Sequence, residues 1–563
     1  MQNEILTRIQ KRIEAFEKGY RQNIGLIGSQ GLGKSHCLGK IYESLIGQGK
    51  FIPVYIDAPF DSFERLIDRW IGAICSGVFM SQAVQAPKHF PSLLNAAEPI
   101  IPKTLEKIHH LRRMLRKEPA SAIIRELFSL TGVLEAETSK KIILLIDEFD
   151  RLENLPVQDP FSLLGKEIMV ETNTLYLVAS SRPERAKLIF REKLALLFSN
   201  FEVIEFNRLN FGEADQLLEN LLESIHLSQS GRKFLLRLTD GNIGYLHRLA
   251  GQIKTAVQTN LYGSSVLLPE FFTELPPQFI WEALERELFQ EFGSLKLLFE
   301  KKLDGIRVRS RDGADQVQIL YALGYGCHQV SQIASFIGKK IHETKKLLQR
   351  ALEMDEIRRS GSFFYLEDYL FAFWLRFHFD WQNQLFIPQH LFQESIVKQT
   401  IQKEYVREEG EDESSVIGRV MELLKNFRGE SAVFGEKKIL FPSLTDVLQY
   451  DALSKHPLLL AKASRHFWAL TVHLEPLKEE DIMEIQGVMK KLKKKIQQRV
   501  LIALRGIEQN AKLVASESKM QIWDLRDLNQ MLYFYNLPKI LMLPKKETHE
   551  PALGPLAESL YTA

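Results

Sequence analysis

Apolar side chains recur at helical spacing through the first twenty residues (Ile5, Ile9, Ile13, Phe16) with charged residues between them, which predicts an amphipathic leading helix. The short run Asn23–Ile27 then reads as a strand. It enters a glycine-rich turn, and a helical pattern leaves that turn at Lys34 and continues to Ile46. Apolar, β-favouring runs recur at Phe51–Ile56, Ile142–Ile146, Thr174–Ala179 and Phe201–Phe206, with helical stretches between them. Strands alternating with helices predict an α/β fold whose parallel sheet is covered on both faces. The stretch from Ile56 to Ile142 is too long for a structureless loop, so a helical insertion is expected over about 80–138 of a first domain spanning 1–208.

Beyond Asn210 the pattern is wholly helical, which predicts a lid-like bundle over 209–262. Between Gln316 and Leu375 two short helices, a third (HETKKLLQRALEMDEI) and a hairpin turning at Gly361 have the layout of a winged helix, within a domain of 263–385. The polar stretch Arg407–Ser415 marks a linker, set at 386–415. A helix (Val416–Phe427), strands near Ile439–Phe441, Phe467–Val472, Val500–Leu504 and Met520–Leu525, and a basic helix through Lys490–Lys495 predict a second small α/β domain over 416–563.

At about 150 residues per domain, 563 residues fit three to four domains. With 45% hydrophobic and 26% charged residues, wholesale disorder and fibrous repetition are excluded. Lys+Arg at 73 against Asp+Glu at 71 leaves a net charge of +2, so a nucleic-acid partner must be argued from local patches. Cys37, Cys75 and Cys327 are odd in number and far apart, which excludes a disulfide framework or a CxxC metal site. The first twenty residues are too charged for a secretory segment, and no run approaches the roughly 18 apolar residues of a membrane span. A cytoplasmic, soluble protein without membrane contact is expected.

The candidate chemistry begins at the glycine-rich turn. Gly28-Ser-Gln-Gly-Leu-Gly33-Lys34-Ser35 matches GxxxxGK[ST], between a strand and a helix as that motif requires. Backbone N–H groups over Gly28, Ser29, Gln30, Gly31, Leu32, Gly33, Lys34, Ser35 and His36 would turn inward on phosphates, and the helix N-terminus favours the anion. Lys34 would reach the β/γ-phosphates of ATP and the Ser35 hydroxyl would ligate Mg²⁺. The second half is the buried run Ile142–Ile146 followed by Asp147 and Glu148. Asp147 would hold the Mg²⁺, and Glu148 would orient or deprotonate the attacking water. ATP binding and hydrolysis is the leading expectation.

The order GSQGLGKS, IILLIDEFDRL, TLYLVASSRPERAKLIF, VIEFNRLNFGEADQLLENLL and TDGNIGYLHRLAG resembles AAA+/STAND-type P-loop ATPases of the archaeal-type group. The likeness continues through Gly361–Phe377, where Tyr365, Asp368 and the Phe373–Trp374 pair match residues recurring in that family. The resemblance implies a sensor of the γ-phosphate at Ser180 or Ser181, and it counts Ser180 and Arg182 with the catalytic residues. It leaves an arginine finger open among Arg182, Arg185 and Arg191, each of which reads alternatively as a solvated charge. It also implies a lid motif at Gly241–Gly244, where Ile243 stands in place of a frequent proline, and a nucleotide sensor at His247 or Arg248. The last 150 residues resemble a restriction-endonuclease-like fold in layout, but Leu470-Thr-Val-His473 stands where a nuclease needs ExK, so an inactive domain is expected.

Basic residues suggest partners less firmly. Lys345, Lys346 and Arg350 on the third helix and Arg358–Arg359 on the wing are candidates for duplex DNA contact, weighed against a packing role. The cluster Arg112, Arg113, Arg116, Lys117 beside His109–His110 would touch nucleic acid or a neighbouring subunit, and the lysines of Lys490–Lys495 read as a solvated face. The leading function is a nucleotide-driven switch that rearranges the winged-helix and C-terminal domains. Its rivals are a DNA-binding or scaffold protein whose assembly ATP governs, with a protein partner or a second copy, and an ATP-dependent nuclease.

Overall fold

The computed structural model describes residues 2–58, 62–194, 200–223, 225–263, 274–309, 311–383, 397–409, 413–435, 437–450, 457–464, 466–491 and 494–542. They divide into two units. The first comprises 1–208 together with 242–244 and 350–356, and the second takes the remainder.

In the first unit, strands β1 (Asn23–Ile27), β2 (Phe51–Asp57), β3 (Lys141–Asp147), β4 (Thr174–Ser180) and β5 (Phe201–Glu205) form a sheet in the order β2-β3-β4-β1-β5. Every neighbouring pair is parallel. This is the α/β sheet expected of a P-loop NTPase. The continuous apolar reading of β3 has a geometric cause, since successive side chains enter different cores. Ile142, Leu144 and Ile146 pack with Trp70 and Phe128, whereas Ile143 and Leu145 pack with Ile9, Ile13 and Phe16 of the leading helix Gln2–Glu17. Between β2 and β3 lie five helices, Phe63–Ser81, Phe90–Ala97, Pro102–Met114, Ala120–Phe128 and Leu130–Thr138. The first has Ser62 as its N-cap, accepting from the Arg65 N–H. It buries Leu66, Ile67, Trp70, Ile71 and Ile74 to 1% exposure or less, each contributing about 1.5–3 kcal/mol.

The second unit opens with the helices Phe211–Leu222 and Gln229–Thr239 and most of Ile243–Gly263. The helices Pro277–Leu288, Ser294–Arg309, Gly313–Gly324, Val330–Ile337 and the greater part of Ile341–Glu353 follow, and then an antiparallel hairpin of β6 (Arg358–Ser360) and β7 (Phe363–Tyr365). Next comes the helix Tyr369–Asn383, whose first turn Asp368 caps by accepting from the Phe371 N–H at 3.0 Å and from the Tyr245 hydroxyl at 2.6 Å. Trp374 on that helix is buried and donates to the Leu288 carbonyl at 2.9 Å, so the Asp368 and Trp374 positions carry packing.

Part of the segment expected as a linker is a helix. Residues 398–409 are helical because Ile401 and Tyr405, four apart, turn one buried face to the helix Gln229–Thr239, where Tyr405 meets the Phe234 ring and the Ser228 hydroxyl. Residues 386–396 and 410–412 of that expected linker lie outside the described residues.

The C-terminal part holds a hairpin of β8 (Ser431–Phe434) and β9 (Lys437–Leu440) and a sheet of β10 (Asp446–Tyr450), β11 (Leu458–Ala463), β12 (His466–His473), β13 (Ile496–Ala503) and β14 (Gln521–Asp524) in chain order. β10, β11 and β12 are antiparallel neighbours, whereas β12, β13 and β14 are parallel. The helix expected through Lys490–Lys495 is Glu479–Lys491, and β13 begins at Ile496. Thr471 and His473 are buried in β12 and hydrogen-bond each other at 2.9 Å. Asp446 begins β10, and Asp451 lies outside the described residues.

Candidate functional site

Strand β1 ends at Ile27 and delivers the chain to the Gly28–Gly33 loop, from which the helix Lys34–Leu45 starts. The first N–H groups of that helix have no partner within it, so this end offers donors to an anion. Leu32 is 2% exposed and its side chain belongs to the core, which leaves only its backbone to face a ligand. Ser35 and His36 are exposed in the first turn. Two close approaches explain why glycines are needed. A Cβ on Gly31 (φ 84°) would lie 2.5 Å from the Asn242 side-chain amide oxygen, and one on Gly244 would lie 2.9 Å from the Gly31 backbone oxygen. Asn242 donates to the Gln30 carbonyl at 2.9 Å, and the Gly244 N–H donates to the Gly31 carbonyl at 2.8 Å. The Asn242–Gly244 turn is therefore fitted against the loop.

Lys34 is 3% exposed, and its ammonium group donates to the Ser29 carbonyl at 2.8 Å. Burial pushes its pKa down to about 8, against the opposing pull of the Glu148, Asp147 and Asp150 carboxylates. Asp147 ends β3, is 6% exposed and accepts from the Tyr55 hydroxyl at 3.1 Å and from the Glu148 N–H at 3.0 Å. Burial chiefly, and the Asp147 charge with it, push the Tyr55 hydroxyl upward. Glu148 follows with φ 51°, a left-handed conformation costly for a side chain this long. Its carboxylate accepts from the Ser181 hydroxyl and from the Ser181 N–H at 3.3 Å. Burial, with Asp150 adding to it, pushes the Glu148 carboxyl above its ordinary range, while the Ser181 hydrogen bond and Lys34 pull it back.

Ser180 and Ser181 are separated by their partners. Ser180 is fully buried and its hydroxyl donates to Asp150 at 2.6 Å, so it faces away from Glu148. Ser181 is the serine that meets Glu148. Arg182 is held by Asp150 at 2.6 Å and by Glu153, and Arg185 by Glu153 at 2.7 Å. Arg182, expected among the catalytic residues, is thus engaged in an internal ion-pair network with Asp150 and Glu153. Arg191 is exposed beside Glu192. Arg248 belongs to the second unit, where it is exposed and donates to the Ser294 hydroxyl at 3.0 Å, and His247 is exposed beside it.

Sequence reasoning passed over Asp150, Glu153, Tyr55 and Asn242. Asp150 stood three residues after Asp147 in the quoted IDEFDRL, yet nothing in the pattern marks it as the fully buried anion of a network. Asn242 lies inside the GNIG segment, and nothing local marks its side chain as a partner of the Gln30 carbonyl.

No family model matches the chain, and no curated protein does. Among solved structures it is similar to a Walker-type ATPase of Pyrococcus abyssi (15% identity, 67% of this chain and 95% of that one, TM-score 0.41). It is also similar to the Aeropyrum pernix ORC2 protein in ADPNP–ADP complexes (13%, 71% and 92%, 0.39) and the Aeropyrum pernix ORC1 protein in complex with DNA (12%, 68% and 94%, 0.35). Likenesses at these identities and scores decide nothing about function, which has to be read from this chain's own residues.

Proposed function

We propose that the chain binds and hydrolyses ATP as an AAA+/STAND-like switch. The observation that carries the reading is the convergence, at the C-terminal ends of β1, β3 and β4, of a buried Lys34, Asp147 and a Glu148 tied to Ser181. A buried ammonium group whose pKa is lowered in isolation gains most from a bound polyanion, and the loop and helix N-terminus supply the other donors. The residues fit Mg²⁺ as well: Ser35 offers an exposed hydroxyl in the first turn, and Asp147 a carboxylate at the adjacent strand end. When bound there, the metal supplies neutralisation of phosphate charge. Glu148 orients the attacking water and takes its proton, a task suited to a carboxylate lifted above its usual range. Ser181, rather than Ser180, is the group that would release or restrain Glu148 as the γ-phosphate comes and goes. The nucleotide state would then be passed to the winged-helix and C-terminal domains.

The test is turnover and nucleotide retention of the full chain. Lys34→Ala should abolish binding of an ATP analogue. Glu148→Gln should cut turnover by at least about 100-fold while ATP stays bound. Unchanged turnover in the Glu148→Gln protein would sink the assignment.

A reading as a DNA-binding protein through the winged helix finds weaker support. Lys345 and Lys346 are exposed, but Arg358 pairs with Glu367 at 3.2 Å and Arg359 lies over the Phe364 ring and donates to the Gly361 carbonyl. The hairpin turn is also covered: Ser362 and Ser360 hydrogen-bond to Ser431 and Val433 of β8. The TVH strand, with His473 bonded to Thr471, supports an inactive C-terminal domain over an ATP-dependent nuclease.

A further inference from the structure

The helix Pro102–Met114 is anchored on one side only. Thr104, Leu105, Ile108 and Leu111 are buried, and Glu137 caps its start by accepting from the Lys103 and Thr104 N–H groups at 2.7 and 2.9 Å. Its outer side, continued by the turn after it, lines an open groove of about 770 Å³ with His109, Arg112, Arg113, Arg116 and Lys117. These cations differ in what they are doing. Arg112 lies over the Phe90 ring at 5.2 Å and 3.8 Å from Asp68, so it is already engaged. Arg113, Arg116 and Lys117 are exposed and make no ion pair with the described residues. Glu98 and Glu106 also line the groove, and their charge steers an anion away from themselves toward the Arg113–Lys117 end.

We propose that this groove is a binding site for the phosphodiester backbone of duplex nucleic acid, held by Arg113, Arg116 and Lys117. The groove is far larger than one phosphate. Arg113 belongs to the last turn of the helix and Arg116 and Lys117 to the turn that follows it, so the three cations do not share one point and can meet more than one phosphate of a strand that advances about 3.4 Å per nucleotide. The lining holds no Phe, Tyr or Trp ring and a single imidazole, that of His109, which is no platform for successive unpaired bases and so favours a duplex over a single strand. Contacts of this kind carry charge without reading bases, so binding should be independent of sequence. The inference goes beyond ATP hydrolysis and relocates the nucleic-acid contact from the covered hairpin to the insertion.

The test is fluorescence anisotropy of a labelled 24-base-pair duplex with the full chain between 50 and 200 mM KCl, alongside binding of an ATP analogue and a thermal melt. The wild type should bind with a steep salt dependence. R113A/R116A/K117A should bind at least tenfold more weakly at 50 mM, with a salt slope shallower by about 2 to 3, and with unaltered analogue affinity and melting temperature. The charge-preserving R113K/R116K protein should keep the slope, and K345A/K346A should leave binding as it is. Wild-type affinity and slope in the triple variant, no binding by the wild type at 50 mM, or loss in K345A/K346A alone would overturn the proposal. So would tight binding of short inorganic polyphosphate by a wild type that leaves duplex untouched, since the groove would then take a free polyanion. Loss of analogue binding in every protein, by contrast, would count against the ATPase reading and leave this one standing.

Discussion

Arg182 illustrates how a charge that looks solvated along the chain becomes structural in the fold. Its guanidinium spans Asp150 and Glu153, and Asp150 is fully buried and also accepts from Ser180. Removing one member of a buried pair leaves the other desolvated and unpaired, which typically costs 3–5 kcal/mol. Arg182→Ala should therefore destabilise the first unit by about 3 kcal/mol, seen as a lowered thermal midpoint. An arginine finger would behave in the opposite way, losing turnover at an unchanged midpoint, and that outcome would restore the catalytic assignment. Of the other two candidates, Arg185 shares Glu153 with Arg182, and Arg191 is exposed beside Glu192. The same network separates the two serines, which adjacent positions in a sequence cannot do.

At the scale of elements, the glycine-rich loop is not free-standing. The Asn242–Gly244 turn, more than 200 residues later, supplies a donor to Gln30 and sits in van der Waals contact with Gly31. Ile243 and Gly244 of this turn open the helix Ile243–Gly263, so its register against the loop depends on how that helix begins. Asn242→Ala removes one hydrogen bond to a partly buried carbonyl, worth about 1 kcal/mol, and should weaken binding of a fluorescent ATP analogue about fivefold. An unchanged dissociation constant would mean that the turn plays no part in shaping the site. The elements themselves were legible where their cause was local. β1, β3 and β4 appear at continuous apolar runs because they are buried along nearly their whole length, whereas the edge strand β5 is buried only at Phe201 and Ile204. β10 has no counterpart among the predicted strands, since its exposed positions (Asp446, Leu448, Gln449, Tyr450) leave no distinctive pattern.

Across the whole molecule, the second unit ties remote parts of the chain together through a few polar contacts. Lys539 pairs with Asp240 at 2.6 Å and lies over the Tyr369 ring, although the three positions are far apart in sequence. Asn529 holds the same stretch by exchanging two hydrogen bonds with Ile540 at 2.8 and 2.6 Å. Lys539→Met keeps the apolar stem but removes the ion pair with Asp240, and should cost about 1–3 kcal/mol, read as a lower denaturation midpoint of the full chain. Adding Asp240→Asn should recover part of the loss, and strict additivity of the two would show that the pair is not coupled. Phe363 of the hairpin stacks on Phe534 at 4.6 Å in the same unit, which turns an element with the outline of a DNA-binding wing into a packing surface.

What the sequence determined alone was whatever depends on neighbours along the chain. That includes the parallel α/β sheet, the strand–loop–helix passage at Gly28–Ser35, the buried strand ending in Asp147 and Glu148, and the helical character of the insertion, since hydrophobic period and turn chemistry are local properties. Tertiary structure alone decided which serine meets Glu148, that Arg182 is engaged and Arg113 is not, that Asn242 returns to the loop, and that the hairpin turn is covered. Each of these is a question of which charge or hydrogen-bond group finds a partner. Partners separated by tens to hundreds of residues are brought together only by packing, and a side chain's chemistry is the same in the sequence whether its partner is a carboxylate or water.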